Sequence, residues 1–313
     1  MKPELLLVCS LYDGTEKQLD ELYTVHRLWQ AKDQAALLRD VRDRVRAIST
    51  MGAVGCKADL MDAVPKTEII ACFGVGVDAI DLKAAKERKI AVTNTPDVLT
   101  EAVADYTWAM ILAITRRISE GERLVRSGQW KGWALDLMLG SELRNKQLGL
   151  VGSGRIARAV ASRAPAFGMR VAYTSRRPVD FPDAVTMSLD RLLNTSDVLS
   201  LHVPLTPETT HVIDRKALTR MKRSAYLINT ARGPVIDEAA LAWAMEQRLL
   251  AGVALDVYER EPAVHPGLLQ MDNVLLLPHL GSATTETRTA MADLAADNVL
   301  AVLAGHPPLT PVA

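Results

Sequence analysis

The apolar positions of this 313-residue chain fall in short runs separated by longer stretches with helical spacing. Leu5–Val8, Arg46–Ser49, Glu68–Cys72 and Ala91–Val92 read as strands, because they are brief, aliphatic and bounded by polar residues. Thr15–Trp29 and Asp78–Arg88 between them have helix-forming patterns, and Thr100–Ile118 is a long amphipathic stretch. A second strand series follows at Gln147–Val151, Arg170–Thr174, Val198–His202, Ala225–Asn229, Ala251–Leu255 and Val274–Leu277. Alternation of this kind predicts an α/β protein with parallel sheets covered on both faces, and two successive series predict two doubly wound domains. The last helical pattern, Ser282–Leu303, comes after the second series is complete. It is expected to cross back, so that one domain is 1–98 plus 285–313 and the other 99–284.

Composition narrows the picture mainly by exclusion. Hydrophobic residues make up 49% and charged residues 24%, ordinary values for a folded chain. Thirty-seven basic residues balance thirty-seven acidic ones, so no global field recruits nucleic acid or an anionic membrane. No apolar run approaches the ~18 residues that a membrane helix needs. Cys9, Cys56 and Cys72 are widely spaced and form no pair with metal-ligand spacing. No His/Asp/Glu cluster has ligand spacing either, so no metal is expected. The expected compartment is the cytoplasm. Pro165 is expected to end or kink the helix that holds it near Arg163–Ala164.

One glycine pattern carries chemistry. The run Leu148–Val151 leads into Gly152-Ser153-Gly154-Arg155-Ile156-Ala157 and then a helical pattern. A strand–glycine turn–helix of this form suits a dinucleotide: Gly152 permits the tight turn and Gly154 lets backbone approach a pyrophosphate at a helix N-terminus. The fold class is therefore read as two Rossmann-like doubly wound parallel-sheet domains with a cleft between them. The 99–284 domain binds the dinucleotide and the other binds substrate. An acid expected about 20 residues on, to hold the ribose hydroxyl of NAD, is missing. Ser175, Arg176 and Arg177 stand there instead. Guanidiniums and a hydroxyl suit a 2′-phosphate, which points to NADPH. The bland alternative is a solvated basic loop.

Three later segments end strands in reactive side chains: Ile228-Asn-Thr-Ala-Arg232, Leu255-Asp-Val-Tyr-Glu-Arg-Glu261 and Leu277-Pro-His279. Ligands of doubly wound sheets bind beyond the carboxyl ends of strands, so the three are expected to converge. Together they supply what reduction of a 2-oxo acid needs. Arg232 is a fixed cation for the carboxylate and carbonyl, His279 a proton donor, and Glu261 a carboxylate that orients and charges the imidazole. His202 is expected to shape the wall beside the nicotinamide rather than to react.

With these residues in place, the chain resembles the D-isomer-specific 2-hydroxyacid dehydrogenase family, and within it the NADPH-using hydroxypyruvate/glyoxylate reductases. The likeness runs from about Arg46 to Pro307-Pro-Leu-Thr-Pro-Val. Its motifs are CFGVGVDAIDL at 72–82, VTNTPDVLTEAVADYTWAMIL at 92–112, GSGRIA at 152–157, YTSRRP at 173–178, VPLTPETTHVI at 203–213, INTARGPVIDE at 228–238, ALDVYEREP at 254–262 and LPHLGSATTETR at 277–288. The resemblance implies a homodimer that reduces glyoxylate or hydroxypyruvate to a D-2-hydroxy acid with NADPH, the catalytic residues being Arg232, Glu261 and His279. It also implies that Val75–Gly76 backbone holds the substrate carboxylate. Gly152–Ile156, Ser175–Arg177, His202, Val203, Pro204, Thr230, Ala231, Asp256 and Gly281 fall on cofactor contacts, with Thr209 a weaker candidate. Asp256 reads alternatively as a buried structural carboxylate. Trp133 resembles a tryptophan that lines a partner's active site in some relatives, or is a plain interface tryptophan. Met51 is expected to line the substrate pocket and to favour a small, partly apolar tail. Alternatives are a 2-ketogluconate or other 2-keto sugar-acid reductase and, more remotely, a nucleotide-sensing corepressor-like protein.

Overall fold

The computed structural model describes residues 2–177 and 179–312. These form two compact units, one of residues 1–99 and 282–313, the other of 100–281. The first unit holds a parallel sheet of β1 (Glu4–Leu7), β2 (Thr24–Arg27), β3 (Val45–Met51), β4 (Ile69–Phe73) and β5 (Ala91–Thr93), in the order β2-β1-β3-β4-β5. Every residue of β4 is buried, as expected for a central parallel strand. The helix Thr285–Leu303 packs on β3 and β4 of this sheet, which is why the chain's last segment belongs to its first unit.

The second unit holds seven parallel strands in the order β12-β11-β10-β9-β6-β7-β8. They are β6 (Gln147–Val151), β7 (Arg170–Thr174), β8 (Ala184–Thr186), β9 (Val198–Leu201), β10 (Tyr226–Asn229), β11 (Gly252–Leu255) and β12 (Val274–Leu276). The helix Thr100–Thr115 packs on β10 and β11 and on the helix Arg155–Arg163. Trp108 anchors it, donating from Nε1 to Val160 O (2.9 Å) and stacking on Phe167 with ring centroids 4.3 Å apart. The order of strands reverses at β6, which has β7 on one side and β9 on the other. Such a switch point leaves a crevice at the carboxyl ends of the strands.

Three expectations for local structure need correcting. Thr15–Trp29 is not one helix: Asp13–Leu22 is helical, and Thr24–Arg27 leaves it as β2. Its residues pair in register with β1, Leu5 opposite Val25, so a tertiary ladder overrides the local helical pattern. β8 was outside the expected strands, because three partly exposed edge residues carry no apolar pattern. The Thr100 helix stops at Thr115, and Arg117 turns left-handed (φ 55°) to start Ile118–Arg126. Pro165 is the second residue of a short 3-10 turn, Ala164–Phe167, directly after the helix Arg155–Arg163.

Candidate active site

The glycine turn after β6 is shaped by close packing. Gly152 has φ 112°, and a Cβ there would lie 2.5 Å from the carbonyl oxygen of His202. Its N–H donates to Thr174 O (2.9 Å), tying the turn to β7. Gly154 caps the helix Arg155–Arg163, and a Cβ on it would meet nothing within 4 Å. Open space at a helix N-terminus is what a pyrophosphate requires. Ala157 is fully buried and Arg158 braces the turn, donating from Nε to Ser153 O (3.2 Å). The residues present therefore fit a dinucleotide.

Beyond β7, Ser175 donates its hydroxyl to Arg177 O, and Arg176 and Arg177 are exposed. Arg176 lies 4.0 Å from Glu208, a carboxylate contributed by the loop after β9. In that loop the Thr209 hydroxyl accepts from Thr206 N (2.8 Å) and donates to Pro204 O (2.7 Å), so it holds the loop's own shape. Burial pushes His202 down to about 4, keeping it neutral, and its Nε2 lies 2.9 Å from Ser200 Oγ.

His279 and Glu261 are brought together by a network around Asp256. His279 sits in a left-handed backbone conformation (φ 56°), and its N–H donates to Asp256 O (2.9 Å). The Asp256 carboxylate accepts from Leu280 N (2.7 Å), Gly281 N (2.9 Å) and the Tyr106 hydroxyl (3.0 Å). Burial nonetheless raises the Asp256 pKa, outweighing those donors. Glu261 reaches both ways: Oε1 accepts from Tyr258 N (3.2 Å), and Oε2 lies 2.9 Å from His279 Nδ1. Burial pushes the Glu261 carboxyl up, but the His279 contact and charge, the Tyr258 N–H and the Arg232 charge together bring it below the usual value.

Arg232 follows β10 in a turn built by buried Asn229. The Asn229 side chain donates to Arg232 O (2.9 Å) and accepts from Ala231 N (3.0 Å), while Arg232 Nη1 donates to Ala231 O (2.7 Å). Thr230 Oγ1 lies 3.2 Å from Thr107 Oγ1. A Cβ on Gly233 would fall 1.8 Å from the Tyr258 carbonyl, so this turn lies directly against the loop that leads to Glu261. Glu238 clamps the same loop, accepting from Glu259 N (3.0 Å) and His265 N (2.8 Å), and its own N–H donates to Glu259 Oε2 (3.1 Å). The roles of Asn229, Tyr106 and Glu238 escaped the sequence reading, since a polar residue within a motif carries no signature that marks it as a clamp.

In the first unit, β4 ends in Phe73 and Gly74-Val75-Gly76. The carbonyls of these three residues accept from Thr95 N (2.9 Å), Asn94 Nδ2 (2.8 Å) and Cys72 Sγ (3.4 Å). The N–H groups of Val75 and Gly76 donate to nothing among the described residues. Met51 ends β3 and lines a pocket with Phe73. Trp133 is 80% exposed. No group of His, Cys, Asp and Glu among the described residues is disposed to hold a metal ion.

The sequence model for the D-isomer specific 2-hydroxyacid dehydrogenase NAD-binding domain matches residues 108–281. The chain belongs to the D-isomer-specific 2-hydroxyacid dehydrogenase family. The glycine turn, Arg232, Glu261 and His279 all lie within the matched segment of this 2-hydroxyacid dehydrogenase. It is similar to a glyoxylate reductase of Thermofilum pendens, 47% identical over 280 residues that cover 87% of this chain and 82% of the relative. It is 42% identical to a hydroxyphenylpyruvate reductase of Plectranthus scutellarioides, covering 98% of each chain. Among solved structures, an NADPH-dependent glyoxylate/hydroxypyruvate reductase of Sinorhizobium meliloti, in complex with NADP and malonate, superposes with a TM-score of 0.93. That protein is 39% identical, and 100% of this chain and 97% of the other are covered.

Proposed function

We propose that this dehydrogenase is an NADPH-dependent reductase of small 2-oxo acids, of the glyoxylate/hydroxypyruvate type, that forms the D-2-hydroxy acid. The observation that carries the reading is the contact of His279 Nδ1 with Glu261 Oε2 at 2.9 Å, beside the turn that bears Arg232. The glyoxylate and hydroxypyruvate reductases among its relatives support the substrate class.

A bound reduced nicotinamide supplies a hydride to C2 of the 2-oxo acid. Val75 and Gly76 N–H hold the substrate carboxylate, and Arg232 pairs with it and polarises the carbonyl. With Nδ1 anchored on Glu261, His279 has Nε2 free to protonate the oxygen as the carbonyl bond is reduced. One hydride and one proton thus convert the 2-oxo carbonyl to an alcohol. His202, neutral by burial, does not compete as an acid. Ser175, Arg176 and Arg177 receive the 2′-phosphate, with Arg176 released from its exposed and weak pairing to Glu208. In this reading unit 1–98 plus 285–313 binds substrate and 99–284 binds cofactor.

The assembly is a homodimer built on residues 118–139. The helix Ile118–Arg126 buries none of its residues. Trp133 and Leu135, beyond it, are 80% and 83% exposed, apolar surface of the kind that a second copy covers. Cys9, Cys56 and Cys72 form no disulfide among the described residues, which suits a reducing cytoplasm.

Replacing His279 or Arg232 by Ala is expected to abolish turnover of glyoxylate and hydroxypyruvate while NADPH still binds. Near-native rates in both variants would sink the assignment. Arg176→Ala with Arg177→Ala is expected to cut kcat/KM for NADPH at least tenfold while sparing NADH. Equal losses with both cofactors would remove the argument for NADPH.

A further inference from the structure

The first unit contains a pocket at the end of its sheet. It has a volume of about 450 Å³ and lies at the carboxyl ends of β1, β3 and β4, against the helix Thr285–Leu303. In the strand order β2-β1-β3-β4-β5 the chain reverses direction across the sheet at β1 and β3. The pocket sits at this switch point, where ligands of open parallel sheets bind. Phe73, at one side of it, is two residues before Val75, so the pocket adjoins the turn whose Val75 and Gly76 N–H groups are proposed to hold the substrate carboxylate. A two-carbon acid leaves the space to water.

The lining divides into an apolar and a donor-rich part. Leu11, Met51 and Phe73 form the apolar part. Ser10 and Thr284 also line the pocket, but their hydroxyls are committed: Ser10 to Glu16 (3.1 Å), and Thr284 to the N–H and hydroxyl of Thr287 (3.1 and 2.9 Å). Arg288 spends only Nε, on Ser282 O (3.2 Å). Its terminal nitrogens and the hydroxyls of Tyr12 and Thr285 bond to nothing among the described residues. No carboxylate lines the pocket. Glu286, on the same helical turn, is exposed outside it, and Glu16 behind Ser10 is held by Arg27 (3.0 Å). The side chains left over are therefore donors around a single uncompensated cation.

We propose that this pocket seats the substrate's side chain and that Arg288 selects 2-oxo acids carrying a second anionic group at the far end of a short apolar chain. The proposal rests on the reductase reading above. Leu11, Met51 and Phe73 pack the methylene groups, and the Arg288 guanidinium pairs with the distal carboxylate, a match that a planar fork makes better than an ammonium.

The test compares 2-oxoglutarate with 2-oxopentanoate, an acid of equal carbon count lacking the second carboxylate, alongside glyoxylate and 4-hydroxyphenylpyruvate. The wild-type kcat/KM is expected to favour 2-oxoglutarate over 2-oxopentanoate at least tenfold. In Arg288→Gln that ratio is expected to collapse towards one, and in Arg288→Lys to be partly kept, which separates lost charge from misfolding. A wild-type ratio near one, or a ratio unmoved by Arg288→Gln, overturns the proposal. So does a preference for 4-hydroxyphenylpyruvate that is insensitive to Arg288, because it assigns the pocket to an aromatic tail. Ligand-induced shifts in Tm provide a readout independent of turnover. If no 2-oxo acid is reduced, the reductase reading fails, while a larger shift with 2-oxoglutarate than with 2-oxopentanoate, lost in Arg288→Gln, still supports the anion subsite. Equal shifts overturn it.

Discussion

At the scale of single residues, the site is governed by what each polar group touches. Glu261 is partly desolvated, which by itself would favour the neutral acid, yet the His279 contact, the Tyr258 N–H and the charge of Arg232 reverse the direction. A carboxyl whose folded pKa is depressed stays ionised as pH falls past the ordinary glutamate value and is lost only on protonation below it. The part of the kcat/KM profile that depends on Glu261 should therefore hold to below pH 4.5, the unperturbed value, and fall as pH drops through the depressed pKa. Glu261→Gln should lower kcat/KM about 100-fold, as expected when an acid–base group loses its partner, and should remove that acid limb. A profile that keeps the limb in this variant would place the titrating group elsewhere. Gly152 is a second residue-scale constraint. Its positive φ and the His202 carbonyl 2.5 Å from a Cβ make Gly152→Ala unfavourable on two counts. That variant should weaken NADPH binding at least tenfold in a fluorescence titration, by moving the turn that faces the pyrophosphate.

At the scale of elements, the reactive side chains stand on loops and the loops on buried polar clamps. The turn after β10 is closed by Asn229, the segment after β12 by Asp256, and the loop leading to Glu261 by Glu238. Each clamp satisfies backbone N–H groups that burial would otherwise leave orphaned. Removing Glu238 strips acceptors from Glu259 N and His265 N. Glu238→Ala should therefore cost about 2 kcal/mol and lower Tm by roughly 4–8 °C in a domain of this size, measured by calorimetry. Because the loop carries Glu261, kcat should fall while the KM for the 2-oxo acid changes little. A loss in KM alone would show that the clamp does not act through the His279–Glu261 contact. The elements also mark where local pattern is a poor guide. Apolar spacing at Thr15–Trp29 suits a helix, but the ladder to β1 takes Thr24–Arg27 into a strand. β8 is too short and too exposed to have a pattern.

At the scale of the whole molecule, each unit has its own core, and the chain enters the first, forms the second and returns for Thr285–Leu303. The apolar surface of residues 118–139 belongs to neither core. Replacing Trp133 and Leu135 together by Glu should shift sedimentation from dimer to monomer with little change in far-UV circular dichroism. An unchanged dimer would move the interface elsewhere. What the sequence determined alone is what local pattern and chemistry encode. Aliphatic runs set the parallel strands, the Gly152-Ser153-Gly154 turn between a strand and a helix marked a dinucleotide fingerprint, and the motifs around Arg232, Glu261 and His279 marked the family. Tertiary structure decided whatever depends on residues far apart in the chain. It placed His279 Nδ1 on Glu261, set Asp256 beneath Leu280 and Gly281, brought Glu208 towards Arg176, and gathered Leu11, Met51, Phe73 and Arg288 around one pocket. A strand or a turn follows from neighbours along the chain, whereas these contacts exist only once strands distant in sequence are hydrogen-bonded side by side.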